Sequence, residues 1–326
     1  MTLVIGGDIG GTKTRLCLFE VSGEALEVRA ERTFSSPGYP ALDDIVRDFL
    51  ALTGASAELA CFGIAGPVTG RTARTTNLAW RISAESIERA FGIRRVRLIN
   101  DLEAIAWGIN DLSPGDLCEL RAGAPDAVGN RAVIAAGTGL GEAGVFWDGR
   151  RHRPWACEGG HTCFAPRSEL EIELLRFLDR RFPRVSWERV VSGRGLVNIY
   201  DFLLEHRRVA AEPWLAEEMA AGDPAAAISR AAQAGRSEVC VEAVGLFVSL
   251  YGAEAGNLAL KVMSKGGVYL GGGIAPKMFE ELKKPAFLES FLAKGRMRPL
   301  LEAMAVRVIL DDRAALAGTA RAVLED

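Results

Sequence analysis

The sequence predicts an α/β protein of two lobes with a cleft between them, and three observations carry that reading. At 326 residues the chain is longer than one core usually serves, so two domains of roughly 100 to 200 residues are expected. Short apolar runs alternate with stretches of helical spacing, the pattern of sheets covered by helices. Three of the runs meet glycine-rich turns, at Gly10-Gly11, Gly137-Thr138-Gly139 and Gly271-Gly272-Gly273.

Residues 2 to 33 hold the bursts "TLVIGGD", "RLCLFEV" and "EALEVRAERTF", separated by Gly10-Gly11 and Ser22-Gly23, which predicts a β-meander. "ALDDIVRDFLALTG" has helical spacing with Gly54 as its stop, and "AELACFGIAGP" is a strand closed by Gly66-Pro67. Ser83 caps a short helix that ends at Gly92. "VRLIND" is a strand that delivers Asn100 and Asp101 at its carboxyl end, ahead of the helical "LEAIAWGI". In an open α/β sheet, ligands bind at that edge. The loop-like "LRAGAPDAVGN" shifts the composition over residues 120 to 130, and the crossing to the second lobe is placed just before it, near residue 110.

The second half opens with "RAVIAAGTGLGEAGVFWDGR": a strand, a glycine-threonine-glycine turn, a second strand and an Asp-Gly hairpin signal. This repeats the plan of residues 3 to 21, with Thr12 and Thr138 in matching places, and suggests a duplication whose halves face each other. "ACEGGHTCFAP" is a glycine-interrupted strand, and Ser168-x-x-Glu171 is a capping box. Residues 194 to 264 are mainly helical, with a break at Gly222-Asp223-Pro224. "GGVYLGGGIAPKMFEEL" is a buried strand, three glycines and a helix started by Pro276. "VRVILD" and an alanine-rich helix from Arg313 end the chain.

Composition narrows the function classes. With 49% apolar and 25% charged residues the chain is an ordinary globular protein. Lysine and arginine number 39 against 42 acidic residues, a formal net charge of -3, so no basic field exists to attract nucleic acid or an anionic membrane. The six cysteines are scattered without a C-x-x-C pair and suit small core residues in a reducing compartment. The group His152, Cys157, His161 and Cys163 has spacings that match no standard zinc finger. "VCVEAVGLFVSLYGAEAGNLALKVM" carries Glu242, Glu254, Asn257 and Lys261, which fits a buried helix better than a membrane span. No apolar leader opens the chain, and a cytoplasmic location is the expectation.

The opening "VIGGDIGGTKTRLCLFE" nearly spells a Walker phosphate loop, but Thr12 stands where the lysine should be and Lys13 comes one place late. A literal G-x-G-x-x-G also occurs, from Gly139 to Gly144. Both motifs need a helix after the glycines, to point its N-terminus at phosphate. Here a strand follows in both places. A glycine-rich hairpin turn offers instead a concave set of backbone N–H groups with a threonine hydroxyl. Two such turns facing each other would grip the ends of a triphosphate, and Asp8 beside one of them calls for an intervening cation, for which magnesium is the natural choice.

The segments "GGDIGGTKTRLCLF", "AAGTGLGEAGVF" and "GGVYLGGGIAPK" resemble the phosphate-1, phosphate-2 and adenosine segments of the sugar kinase, Hsp70 and actin superfamily. Within it the chain resembles the bacterial glucokinase family over nearly its whole length, through "CFGIAGPVTG", "TTNLAW", "LINDLEAIAWGI", "EGGHTCFAP" and "ERVVSGRGLVNIY". The resemblance implies a two-lobed ribonuclease H-like (actin-like ATPase) fold. A small domain over residues 1–110, completed by the C-terminal helix 301–326, would join a large one over 111–300.

The resemblance also implies ATP-dependent phosphorylation of glucose with Mg2+. Asp101 is then the general base, and Asn100, Glu158, His161, Glu188 and Asn77 bind sugar hydroxyls. Gly7, Asp8, Ile9, Gly10, Gly11, Thr12, Gly137, Thr138, Gly139, Gly271, Gly272 and Gly273 form the nucleotide cradle, Asp8 addressing the metal. For assembly it implies a homodimer. Carboxylates, an amide and an imidazole converging on hydroxyls that both donate and accept leave few sugar isosteres acceptable. A cleft that closes on hexose would keep water from taking the phosphoryl group. Repressor-type relatives carry a cysteine-rich zinc segment, and some an N-terminal helix-turn-helix; "GGHTCFAPRSELEIE" holds only Cys163, and the chain starts at its first strand, which fits the zinc-free group. Two other readings stay open: a kinase for fructose, mannose or an N-acetylhexosamine, or an idle sugar or nucleotide sensor on the same fold.

Overall fold

The structure, a computed structural model, describes residues 1–75, 78–311 and 313–325. The chain forms two compact units, the first made of Met1–Asp116, Arg153–Ala156 and Asp311–Asp326, the second of Leu117–His152 and Cys157–Leu310.

In the first unit, β1 (Thr2–Ile9), β2 (Lys13–Ser22) and β3 (Ala25–Ser35) form the expected antiparallel meander. Helix α1 (Leu42–Thr53) ends at Gly54 in the left-handed conformation, φ 63°, where a Cβ would be strained. β4 (Leu59–Ile64) then pairs parallel with β1. A small sheet of β5 (Val68–Thr69), β6 (Thr72–Arg74) and β7 (Arg81–Ser83) follows, then α2 (Ala84–Phe91), capped by Ser83 as predicted. β8 (Arg95–Asn100) pairs parallel with β4, giving the order β3-β2-β1-β4-β8, and leads into α3 (Asp101–Gly108).

The period of two along the strands divides this sheet's side chains between two cores. Ile5, Ile9, Leu16 and Phe62 pack with α1 residues Ile45 and Phe49. Val4, Cys17, Phe19 and Cys61 pack with Leu316, Ala320 and Val323 of the C-terminal helix (Ala314–Leu324). That helix crosses α3 so closely that a Cβ on Gly108 would overlap the Ala314 carbonyl, and one on Gly318 the Ala104 carbonyl. Arg95 and Arg97 of β8 donate to the carbonyls of Val323 and Ala322, groups that a helix end leaves without intrahelical partners.

The second unit begins with β9 (Leu117–Arg121), β10 (Arg131–Ala136) and β11 (Leu140–Trp147); β12 (His152–Cys157), of which Arg153–Ala156 belong to the first unit, then leads to the glycine-interrupted segment. Helices α4 (Glu169–Asp179), α5 (Gly193–Arg207), α6 (Pro213–Ala221), α7 (Pro224–Gln233) and α8 (Glu238–Val262) come next. β13 (Val268–Gly271), the short α9 (Phe279–Leu282), α10 (Pro285–Leu292), α11 (Arg298–Glu302) and β14 (Val306–Ile309) complete it. Its strands run in the order β11-β10-β13-β14-β9, with β10, β13 and β14 parallel. Each unit thus holds an antiparallel hairpin whose first strand takes a parallel third strand, β1 with β4 and β10 with β13.

Two sequence expectations are sharpened. The helix expected to start at Pro276 starts at Phe279; residues 272 to 278 form turns, and the Ile274 N–H donates to the Ala136 carbonyl across the sheet edge. Helix α8 is long and apolar enough by composition to cross a membrane, yet 72% of its most apolar window is buried inside the protein, where Phe247, Tyr251 and Leu258 join the unit's core.

Candidate active site

In the first unit the register of three parallel strands aligns Ile9, Ile64 and Asn100 at their carboxyl ends. Asp8, the Gly10–Thr12 turn and Asn100-Asp101 therefore share one edge of the sheet. The turn is closed by the Gly10 N–H donating to the Lys13 carbonyl at 3.0 Å. It is braced from the end of β3: Ser36 Oγ donates to the Gly10 carbonyl at 2.8 Å, Ser36 N–H donates to the Thr12 carbonyl at 3.0 Å, and Ser36 Oγ lies 2.9 Å from Thr14 Oγ1. Ser36 and Thr14 are fully buried, and sequence reasoning missed both.

Two members of the expected cradle are strand residues. A Cβ on Gly7 would lie 2.5 Å from Phe62 and 2.8 Å from Leu16, so its glycine makes room for core side chains. The Ile9 side chain is wholly buried, and its carbonyl accepts the Ala65 N–H. Asn100 is the N-cap of α3, with Oδ1 accepting the Leu102 N–H at 2.9 Å, and Asp101 Oδ1 accepts from the same N–H at 2.9 Å. The cap sets where Asp101 stands at the head of the helix.

In the second unit the Gly137 N–H closes its turn on the Gly139 carbonyl, and the Gly137 carbonyl accepts the Gly193 N–H from the start of α5, both at 2.8 Å. Gly272, with φ 78°, lies against the Ala136 carbonyl, where a Cβ would approach to 2.5 Å. The second and third glycine turns, remote from each other in the chain, thereby converge: Gly137, Thr138 and Gly273 line one cavity of about 1120 Å³. Arg194 and Lys277 add positive charge to its lining, and Val197 and Ile274 add apolar surface. Backbone donors and cations suit phosphate, and apolar walls suit a planar base.

The expected sugar ligands of this unit also meet at the β10–β11 turn. Glu188 Oε2 accepts the Leu140 N–H at 3.1 Å, and a Cβ on Gly139 would overlap that oxygen. A Cβ on Gly160 would overlap the Leu140 carbonyl from the other side. Glu158 and His161, flanking Gly159-Gly160 in a single 3-10 turn, have exposed side chains whose Oε2 and Nε2 lie 3.9 Å apart. The Trp187 N–H donates to the Thr162 carbonyl at 3.0 Å, which ties the Glu158–His161 turn to the one bearing Glu188. Asn77 lies outside the described residues.

The glucokinase family profile matches residues 5–326. A glucokinase of Trichormus variabilis is 44% identical over 336 residues, covering 98% of each chain. Among solved structures, a glucokinase from an Antarctic psychrotroph aligns over 100% of both chains with a TM-score of 0.89 and 30% identity. A ROK family glucokinase from Streptomyces griseus, in complex with glucose and AMPPNP, aligns over 99% of this chain and 100% of its own, with a TM-score of 0.67 and 25% identity. The α/β fold is that of the glucokinases and ROK sugar kinases, the actin-like ATPase class. Matched along nearly its whole length in sequence and in fold, the chain belongs to the glucokinase family.

Proposed function

We infer that the chain transfers the γ-phosphoryl group of ATP to the 6-hydroxyl of glucose. Membership of the glucokinase family supports the reaction, and glucose and AMPPNP bound to the Streptomyces griseus relative support the substrate pair. The observation that carries the reading within this chain is the convergence of Gly137, Thr138 and Gly273 on one cavity of about 1120 Å³, room enough for a nucleoside.

The adenosine occupies that cavity, and the Gly137–Gly139 and Gly10–Thr12 turns offer N–H donors to the phosphates. Asp8 fits a magnesium ion: it is a hard oxygen ligand beside a backbone N–H turn, and this ion is commonly held by one or two carboxylates together with substrate phosphates. Bound there, magnesium neutralises phosphate charge. Asn100, Glu158, His161 and Glu188 hold the sugar hydroxyls. As the 6-oxygen forms its bond to phosphorus, ADP leaves with the electron pair of the broken P–O bond, and the hydroxyl proton passes to the Asp101 carboxylate. Free thiols at all six cysteines, with an ATP-dependent reaction, support a cytoplasmic location.

A coupled assay with MgATP and a panel of hexoses tests the reading. Glucose should give the highest kcat/KM. Asp101→Asn keeps an acceptor for the Leu102 N–H but loses the base, and should lower kcat by about 10² to 10⁴ with glucose KM changed only a few-fold. No turnover on any hexose would remove the kinase assignment, and an unimpaired variant would remove the assigned base.

A further inference from the structure

Beneath the Glu158–His161 turn lies a pair of buried acids that the reaction does not use. Glu142 of β11 is 1% exposed and Glu254 of α8 is 0% exposed, and the two carboxyl groups interact directly. Glu254 is well supplied with donors: Asn257 Nδ2 donates to Oε2 at 2.7 Å and Lys261 Nζ to Oε1 at 3.2 Å. Among the described residues no donor reaches either oxygen of Glu142. Two acids at this depth do not both ionise, and a carboxyl without donors avoids the cost of a bare buried charge only by keeping its proton and donating it.

The position of Glu142 links that proton to the sugar site. A Cβ on Gly159 would overlap Glu142 Oε2, so the carboxyl lies directly against the backbone between Glu158 and His161. The neighbouring contacts come from the same strand, since Cys157 Sγ donates to the Glu142 carbonyl at 3.4 Å and Gly160 rests on the Leu140 carbonyl. The turn that presents Glu158 and His161 is thus seated on residues 140 to 142.

We propose that Glu142 is a positioning residue for the sugar: sharing one proton with Glu254, it holds the Glu158–His161 turn in its glucose-binding geometry. The proposal rests on the reading that this turn binds the sugar. Ionisation of Glu142 would set a second negative charge beside Glu254 and under Glu158, and push the turn from its seat. Burial first, then the Glu254 charge, raises the Glu142 carboxyl to about 8, with Lys261 opposing. Other groups face the pair. Cys157 lies at the end of β12, its thiol pushed up by burial and by Glu142 and Glu158. Lys294 donates to Asn257 Oδ1 at 2.6 Å and is brought down to about 8 by burial and Arg167, with Glu254 and Glu171 opposing. Because Lys294 titrates in the same range, an alkaline effect in the native protein belongs to the network, and substitution is needed to assign it.

The test is glucose KM from pH 6.5 to 9.5 in the full-length enzyme, with melting curves at each pH to separate loss of binding from loss of fold. If only the protonated pair binds sugar well, glucose KM rises about tenfold between pH 7 and pH 9 while ATP KM changes less than about twofold. Glu142→Gln keeps the shape and a donor but has no proton to lose, so the ratio of the two KM values falls to about one. Glu254→Gln gives the test from the other partner, since its amide donates to an ionised Glu142, and the same flattening is expected. A tenfold ratio persisting in both variants, or absent from the native enzyme, overturns the proposal. Glu158→Gln separates the two inferences: an unchanged glucose KM there removes the sugar role of the turn, whereas a raised KM with a persisting ratio in Glu142→Gln removes only the shared-proton role.

Discussion

At the scale of single residues, capping and burial decide what the polar groups can do. Asn100 and Asp101 both accept the Leu102 N–H, so the helix cap and the proposed base are held by one backbone donor. Glu142 shows the opposite arrangement, an acid held without a donor, and this has a consequence for stability. Its carboxyl is raised from 4.5 to about 8 in the folded protein. The folded state therefore binds more protons than the unfolded state between those values. The stability that Glu142 provides is complete below pH 4.5 and is lost as pH rises through 8. Glu142→Gln escapes that loss. Its melting temperature should match the native protein near pH 5 and exceed it by on the order of 5 °C at pH 8.5, read by circular dichroism. A difference that is the same at both pH values would show that Glu142 does not carry its proton into the folded state.

At the scale of elements, the glycine turns depend on supports far away in the chain. Ser36 reaches back to Gly10, Thr12 and Thr14, and in Ser36→Ala the buried Thr14 hydroxyl and the half-buried Gly10 carbonyl each lose a bond, at a cost of roughly 1 to 3 kcal/mol. The N–H cradle of the first turn should loosen, raising ATP KM about tenfold while glucose binding without nucleotide stays within about twofold, measured by initial rates and calorimetry. An unchanged ATP KM would mean that the turn holds its shape alone. The strands and turns themselves were legible from apolar runs punctuated by glycine, since alternation and backbone permissiveness are local properties. Ser36 was not, because nothing near it in sequence marks a partner 26 residues back. Pro276 misled because its fit to a first helical turn is only a local preference, and residues 272 to 278 form turns instead.

At the scale of the whole molecule, the proposed reaction depends on keeping water away from the transferred phosphoryl group. A kinase with an alcohol acceptor competes with water, so its machinery should be complete only when sugar is bound. Phosphate release from ATP without hexose should run below about one hundredth of the glucose-dependent rate, and comparable rates would sink the idea that sugar completes the site. The α/β class, the three glycine turns and Asp101 at a strand end came from the sequence alone, because each rests on spacing within a short segment, whereas the sugar role of Glu158 and His161 came from the family resemblance. Only the tertiary structure decided that Gly137 and Gly273 share a cavity, that Gly7 serves packing, and that Glu142 meets Glu254 beneath Gly159. These are meetings of residues remote in the chain, set by strand register and helix packing, and no local pattern records them.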